Sequence, residues 1–447
     1  MRISGVRDTA GVSIRGVINS CACLRGGTHV YRAFRHGDAQ SFSPLCIAKV
    51  GAAVGGIGAS YSGRAAAKPK RPDVTGPQPF PVVEPKAVGV SLKKLKKLVH
   101  FIDSERDAGT FPGAGVIALR HGKLFLEHYC GTYRAGKGAD QPFHRNVRVM
   151  LASVSKALSA TVVVMAHQDG LVDYDVPVAT YIPEFVGGGK ETITLRHLLT
   201  HAAGIPNARL GSAATEEEWR DCVRSVCAAQ VEWPPGSKTQ YHAGSGMFVA
   251  AEAVRRVSDM KPWNRICRER LFDPIGADSL SFAPPESADT GFEDAFGPDA
   301  FGGHPAGGCA GTLIDVVRVV QLHLNKGVWE GRAIIQPKAF SEMHTVQYAA
   351  QIAEDAAMHK FPRHEPWGLG WLLRGVGPRP FAAYWFRFGD NASPGLFGHA
   401  GIDTIVGVGD PALDVAYAFA ITKSLQDNSK ATLLRQEVAN RLFATVT

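Results

Sequence analysis

The sequence predicts a mixed α/β (α+β) domain: an antiparallel sheet drawn from both ends of the folded chain, flanked by helices, with a mainly helical lobe inserted between its two groups of strands. Three observations lead there. β-rich runs cluster early, within 116–129, and late, within 371–422. The stretch from about 171 to 300 mixes helical periods with Pro- and Gly-rich loops, and amphipathic helices stand at both edges of the body. A cleft between sheet and lobe is the expected site.

Taken in order, the first 72 residues hold 11 Lys and Arg against Asp8 and Asp38, with no sustained hydrophobic period. Such a segment reads as a transit peptide, a disordered extension, or residues upstream of the true start. A secretory signal is not indicated, because the best apolar stretch, Ile47–Ala59, is interrupted by Lys49 and lies far from the N-terminus. Six prolines between Pro69 and Pro85 then mark an extended linker. The expected division is a leader and linker over 1–85 and one folded domain over 86–447.

Within that domain Ser91 reads as the N-cap of a helix with Leu92, Leu95, Val99 and Ile102 on its apolar face. Val116–Leu119 and Leu124–Tyr129 form a hairpin about His121-Gly122. An apolar helix runs from Ala152 to His167 and stops at Gly170. Late strands are expected at Trp371–Leu373, Thr404–Val408 and Val415–Thr422, and a closing helix at Ala431–Val446 with Leu433, Leu434, Val438 and Leu442 inward.

Composition excludes several functions. The hydrophobic fraction of 45% suits a globular core, and the formal charge of +8 resides in the leader, since the remaining residues nearly balance. No nucleic-acid partner is therefore expected. No run reaches the roughly 18 apolar residues of a membrane span. Eight cysteines show no CxxC pair and no His at the usual zinc-ligand spacing, so neither a metal site nor a disulfide framework is expected. No HExxH, EF-hand or GxSxG pattern occurs; Asn391-Ala-Ser-Pro-Gly395 misses the last, and Gly56-Ile57-Gly58 fails as a dinucleotide fingerprint. No cofactor is implied.

The chemistry gathers at Ser153-Val154-Ser155-Lys156. At i and i+3 on a helix start, hydroxyl and amine leave one face together. Burial and the positive helix end both disfavour a charged lysine, which makes Lys156 a base for Ser153. The Ser153 amide is placed to hold an oxyanion. Ser91-Leu92-Lys93-Lys94 has the same spacing but opens a solvent-facing helix, whereas Met150-Leu151-Ala152 and Val162-Val163-Val164 enclose the first in apolar surroundings.

Leu151-Ala-Ser-Val-Ser-Lys156 resembles the nucleophile motif of class C β-lactamases, D-Ala-D-Ala carboxypeptidases and family VIII carboxylesterases. Further resemblances follow in order: Leu198-Leu-Thr-His-Ala-Ala-Gly204, Pro234-Pro235-Gly236 leading to Tyr241, Gly307-Gly308 through Asp315, Trp367-Gly-Leu-Gly-Trp371 and Phe397-Gly-His-Ala-Gly401. They span roughly 88–445. The resemblance implies a β-lactamase/transpeptidase-like fold, with Ser153 acylated, Lys156 and Tyr241 sharing the proton work, His399 and Gly401 lining the substrate side, and the Ile402 amide as second oxyanion donor. His201 reads as structural. Trp367 and Trp371 read as packing, with the wall of an acyl pocket as the alternative.

Two departures shape the substrate expectation. The family's Y-x-N is Tyr241-His242-Ala243, and the K-T-G of β-lactamases is His399-Ala400-Gly401. In the resemblance the lost groups hold an acyl amide and a carboxylate, so a carboxylesterase on small esters is expected. A β-lactamase, a D-amino-acid peptidase, an acyl-transfer enzyme and an inactive penicillin-recognising scaffold remain the alternatives. The expected partner is a small-molecule ester or amide.

Overall fold

The computed structural model describes residues 79–134, 138–208, 213–282, 303–358, 360, 362–375, 388–402, 405–423, 425 and 427–446. The leader and most of the linker lie outside them. So does Thr404, the expected first residue of a late strand.

Ser91 caps helix α1 (Leu92–Asp107), its side chain accepting from the Lys94 amide at 3.4 Å. Leu95, Leu98 and Ile102 are buried, while Leu92 is 51% exposed. The inward stripe thus begins one turn later than its first leucine, because the helix start overhangs what it packs on. Strands β1 (Gly113–Arg120) and β2 (Lys123–Tyr133) follow, longer than their apolar cores implied. His121 and Gly122 between them both have positive φ, the two-residue turn whose twist matches a hairpin. β3 (Gln141–Pro142) extends that edge.

The later strands are β4 (Leu372–Leu373), β5 (Phe397–Ala400), β6 (Ile405–Asp410) and β7 (Val415–Ile421). Together they make one antiparallel sheet in the order β3-β2-β1-β7-β6-β5-β4, so the two chain ends meet where β1 pairs with β7. The expected architecture is the observed one. Helix α7 (Asn428–Phe443), capped by Asp427, packs beside α1; it buries Leu434, Val438 and Leu442 and leaves Leu433 58% exposed.

The two faces of β7 differ in residue size. On the α1 and α7 side β7 presents Val415, Tyr417, Phe419 and Ile421; on the other it presents Ala416, Ala418 and Ala420. Alternation sends each set to its own face. Against the small face lies helix α6 (Leu313–Leu324), where a Cβ on Gly407 would stand 3.0 Å from Val316 Cγ1. Helix α2 (Val154–Gln168) lies on this side too, buried from Val154 to Ala166. Beyond it the lobe carries α3 (Leu195–Leu199), α4 (Glu216–Ala228) and α5 (Ser245–Arg256), the last packed on α2.

No helix among the described residues is long and apolar enough to cross a membrane. The described cysteines, Cys130, Cys222, Cys227, Cys267 and Cys309, are free, and all but Cys227 are buried.

Composition assigns residues up to 85 to the linker, yet Phe80 is buried against Trp329 and the Val83 amide bonds the Leu124 carbonyl at 3.0 Å. The end of that stretch is part of the body. Phe80→Ala is expected to destabilise the protein by about 3 kcal/mol. Val82→Ala, at a side chain 64% exposed, should stay within about 0.5 kcal/mol. Urea unfolding of both variants checks this, and equal effects would contradict the packing role of Phe80.

Candidate active site

The nucleophile position is made by a tight turn. Leu151 is fixed by its amide to the Cys309 carbonyl at 2.8 Å, and Ala152 then takes φ +44°, a conformation that disfavours any side chain. Ser153 returns to helical angles, and the amides of Val154, Ser155 and Lys156 donate to the carbonyls of Leu151, Ala152 and Ser153 at 3.0–3.1 Å. Ser153 is half-buried where the helix behind it is sealed. Its hydroxyl makes no cap to the helix. It accepts from Lys156 Nζ at 2.9 Å instead.

Lys156 is 1% exposed, and its amine also donates to the Ala306 carbonyl at 2.9 Å. Burial pushes its pKa down to about 7. Segment 304–309 is strapped across α2 by three such contacts: Lys156 to Ala306, Ser159 Oγ to the Pro305 carbonyl at 2.7 Å, and the Cys309 amide to Ser155 Oγ at 3.1 Å. His304 orients the strap, its Nδ1 accepting from the Ala306 amide at 3.0 Å. Burial and the nearby Lys156 hold His304 near 3, so the ring is neutral.

Tyr241 lies in the loop before α5, with Lys156 Nζ 5.2 Å from its ring centre. Burial raises its phenol well above the usual value, and the hydrogen bond with Ser153 pulls the other way. Around the ring stand His201 at 4.6 Å, Trp367 stacked at 6.1 Å and His399 at 6.2 Å between centroids. Trp367 therefore walls the site, its Nε1 donating to Glu365 Oε2 at 2.8 Å, whereas Trp371 packs away from it against Phe397 and His323. His201, with φ +57°, is a buried neutral ring that supports Tyr241, in keeping with a structural role.

At Ala243 the loop is met by the side chain of Asn207. Asn207 Oδ1 accepts from the amides of Ala243 and Gly244 at 2.7 and 3.3 Å, fixing the loop that carries Tyr241. The sequence signal was available in Gly204-Ile-Pro-Asn207, a Gly- and Pro-containing loop ending in an amide side chain, but a loop does not announce its distant partner.

Strand β5 brings His399 and then Gly401 to the nucleophile turn. A Cβ on Gly401 would stand 2.7 Å from the Leu151 carbonyl and 3.0 Å from Ala152 Cβ, so only glycine admits this approach. The Gly401 amide is engaged by the Ile405 carbonyl at 2.7 Å, and its carbonyl accepts from Arg435 Nη1 at 3.3 Å. Ile402 follows at the surface, 37% exposed. His399 is fully buried, its Nδ1 3.0 Å from the Ala400 carbonyl, and burial together with Lys156 pushes it down to about 3. Ser153, Lys156, Tyr241, His399 and Gly401 thus gather at one end of α2, with Ile402 next in the chain after Gly401. Among the described residues no metal-ligating cluster adjoins Ser153.

The family model described as Beta-lactamase matches residues 98–440. The esterase/beta-lactamase LipL of Mycobacterium tuberculosis is 31% identical over 183 residues, 40% of this chain and 41% of that protein. The esterase EstB of Burkholderia gladioli is 26% identical over 192 residues, 39% of this chain and 48% of that protein. The chain thus spans about half or less of the length of these curated relatives. A family VIII carboxylesterase structure superposes with TM-score 0.60 at 21% identity, covering 78% of this chain and 98% of that one. A penicillin-binding protein homologue from Caulobacter crescentus gives 0.61 at 21%, covering 80% and 99%. At such identity the superpositions speak for the fold.

Lys156 ties stability to pH. Unfolding returns the amine to its ordinary value of 10.5, so between about 7 and 10.5 the unfolded chain carries a proton that the folded chain lacks. Stability contributed by this group therefore rises with pH across that window and is lowest below it. Lys156→Met removes the contribution. Urea unfolding across the window should give a flatter slope for the variant than for the wild type, and identical slopes would mean that the folded lysine is charged.

Proposed function

The chain belongs to the beta-lactamase family, and on that premise we propose that it is a serine hydrolase, a carboxylesterase cleaving small esters through an acyl-enzyme on Ser153. The observation that carries the reading is the 2.9 Å contact between the Ser153 hydroxyl and a buried lysine whose pKa lies near neutrality. A base works best with a pKa close to the operating pH.

In this reading neutral Lys156 takes the Ser153 proton as Oγ attacks the ester carbonyl. The oxyanion is received by the amides of Ser153 and Ile402. Collapse breaks the carbon–oxygen bond to the alcohol, which leaves with the proton relayed from Lys156 through Tyr241. Water then attacks the acyl-enzyme, gives its proton to the same pair, and releases the acid and Ser153. Tyr241 works as a neutral relay here: its burial opposes phenolate, while Lys156 is already half-deprotonated at pH 7.

Ester preference rests on what the substrate side lacks. A neutral His399 offers no cation to a carboxylate, and Ala243 offers no amide to an acylamino group. The oxygen of Asn207 is committed to backbone, so that side chain is not a free substitute. The names of the relatives, esterase/beta-lactamase and esterase, accord with this choice. An intact Ser153–Lys156 pair argues against an inactive scaffold, and β-lactamase action remains the nearest rival.

Ser153→Ala is expected to abolish labelling by a fluorophosphonate and turnover of p-nitrophenyl esters, read by intact-mass spectrometry and absorbance. The rate constant kcat/KM should rise with pH through a midpoint near 7, following Lys156. Butyrate or acetate esters should exceed a cephalosporin by at least about 100-fold in kcat/KM, since two missing recognitions together are worth roughly 10²–10⁴-fold. Ala243→Asn should narrow that gap by raising lactam turnover. Equal efficiencies in the unmodified protein would falsify the ester assignment and favour the β-lactamase reading.

A further inference from the structure

On the face of the sheet away from Ser153, three side chains of the metal-ligating type converge. His128 and Cys130 are alternate residues of β2, so both leave the same face of the strand. Asp103 descends onto them from α1, beside the buried Ile102. His128 Nε2 stands 2.9 Å from Asp103 Oδ1, and one ligand atom from each of the three residues lies within 4.8 Å of the other two. Among the described residues they form the one group of this kind.

Ligand type and spacing agree. Around a tetrahedral zinc-type ion, with nitrogen and oxygen at about 2.0–2.1 Å and sulfur at about 2.3 Å, donor atoms stand roughly 3.3–3.8 Å apart. Small side-chain rotations therefore close the observed set on a cation, parting His128 from Asp103 by a fraction of an ångström and drawing Cys130 in. Thiolate, imidazole and carboxylate together suit a borderline-soft dication rather than magnesium or calcium. Cys130 is buried while the His128 and Asp103 side chains are 19% and 31% exposed, which gives an ion a way in from solvent. Arg106 stands 3.6 Å from the same Asp103 oxygen, but its main bonds go to Asp107 at 2.7 and 2.9 Å, so its charge is already answered.

We propose that Asp103, His128 and Cys130 form a three-ligand site for a thiophilic divalent cation of the zinc class, with water at the fourth position, clasping α1 to β2. Binding replaces the sulfur–hydrogen bond of Cys130 by a sulfur–metal bond and releases that proton to solvent, while the proton that His128 Nε2 presents to Asp103 passes to Nδ1 and frees the Nε2 lone pair for the ion. A search for CxxC or helical His spacings passes over this set, because two ligands alternate on a strand and the third is a helix residue 25 positions upstream of His128.

The experiment is titration of the reduced full-length chain with Co²⁺, following the sulfur-to-cobalt charge-transfer band and then its displacement by Zn²⁺. One ion per chain is expected, together with a higher melting temperature in Zn²⁺. Cys130→Ser should remove the band. His128→Gln and Asp103→Asn should each weaken binding by more than the roughly 10–100-fold that loss of an outer partner causes. His128→Gln, at a partly exposed position, carries the test if Cys130→Ser does not fold. Absence of a sulfur band, a band that persists without Cys130, or full affinity in His128→Gln would overturn the site, the second by placing the sulfur donor at another of the eight cysteines. Ester hydrolysis by Ser153 is independent of every one of these outcomes.

Discussion

A lysine amine held out of water, with a serine hydroxyl and a peptide carbonyl as its hydrogen-bond partners, is the constraint on which the site depends. An ammonium so placed has lost its hydration and gained only two neutral acceptors, so the neutral amine competes with it near pH 7. Several elements keep it dry. The 304–309 strap supplies the Ala306 carbonyl, α5 packs along the helix, and Tyr241 closes the remaining side. The same lysine depresses His304 and His399, so its neighbours stay neutral over the range in which it titrates.

Bringing four segments to one helix start requires close approach, and small residues permit it. Ala416, Ala418, Ala420 and Gly407 let α6 settle onto the sheet. Gly401 lets β5 run past the nucleophile turn, and Gly370 sits where a Cβ would stand 2.0 Å from Ala160 Cβ on α2. Backbone strain is present at the point of use: Ala152, immediately before Ser153, is held at positive φ by the bonds of Leu151 and Ser155 on either side. The opposite face of β7 carries its large side chains, Val415, Tyr417, Phe419 and Ile421, toward α1 and α7.

Around Tyr241 the wall is aromatic, and the histidine rings in it are neutral. His201, Trp367 and His399 surround the phenol, and Glu365, pushed up by its burial, is tied to the Trp367 indole. Such a surface suits an apolar acyl group and a developing oxyanion better than an anionic substrate. His399, which stands where the motif of β-lactamases has a lysine, is one of these neutral rings.

Short-range rules carried much of this protein. Hydroxyl and amine at i and i+3 share a helix face whatever surrounds them, so Ser153 and Lys156 were legible. His121-Gly122 between apolar alternations fixed the hairpin, and Ser91 fixed the start of α1. Helical and strand periods also set the order of elements, hence one sheet from two chain ends. The depth of each stripe was not legible: Leu92 and Leu433 satisfy the period but overhang their helices' contacts, while Phe80 follows a proline run and is nonetheless core. Nor was the set of partners. The amine of Lys156 donates to a carbonyl 150 residues away, Tyr241 is held by rings from three other segments, and Asn207 serves a loop 36 residues downstream. Periodicity decides which way a side chain points, because it acts through the backbone of its own element. Desolvation and hydrogen bonding are sums over whatever atoms arrive from elsewhere, and the tertiary structure alone decides which atoms those are.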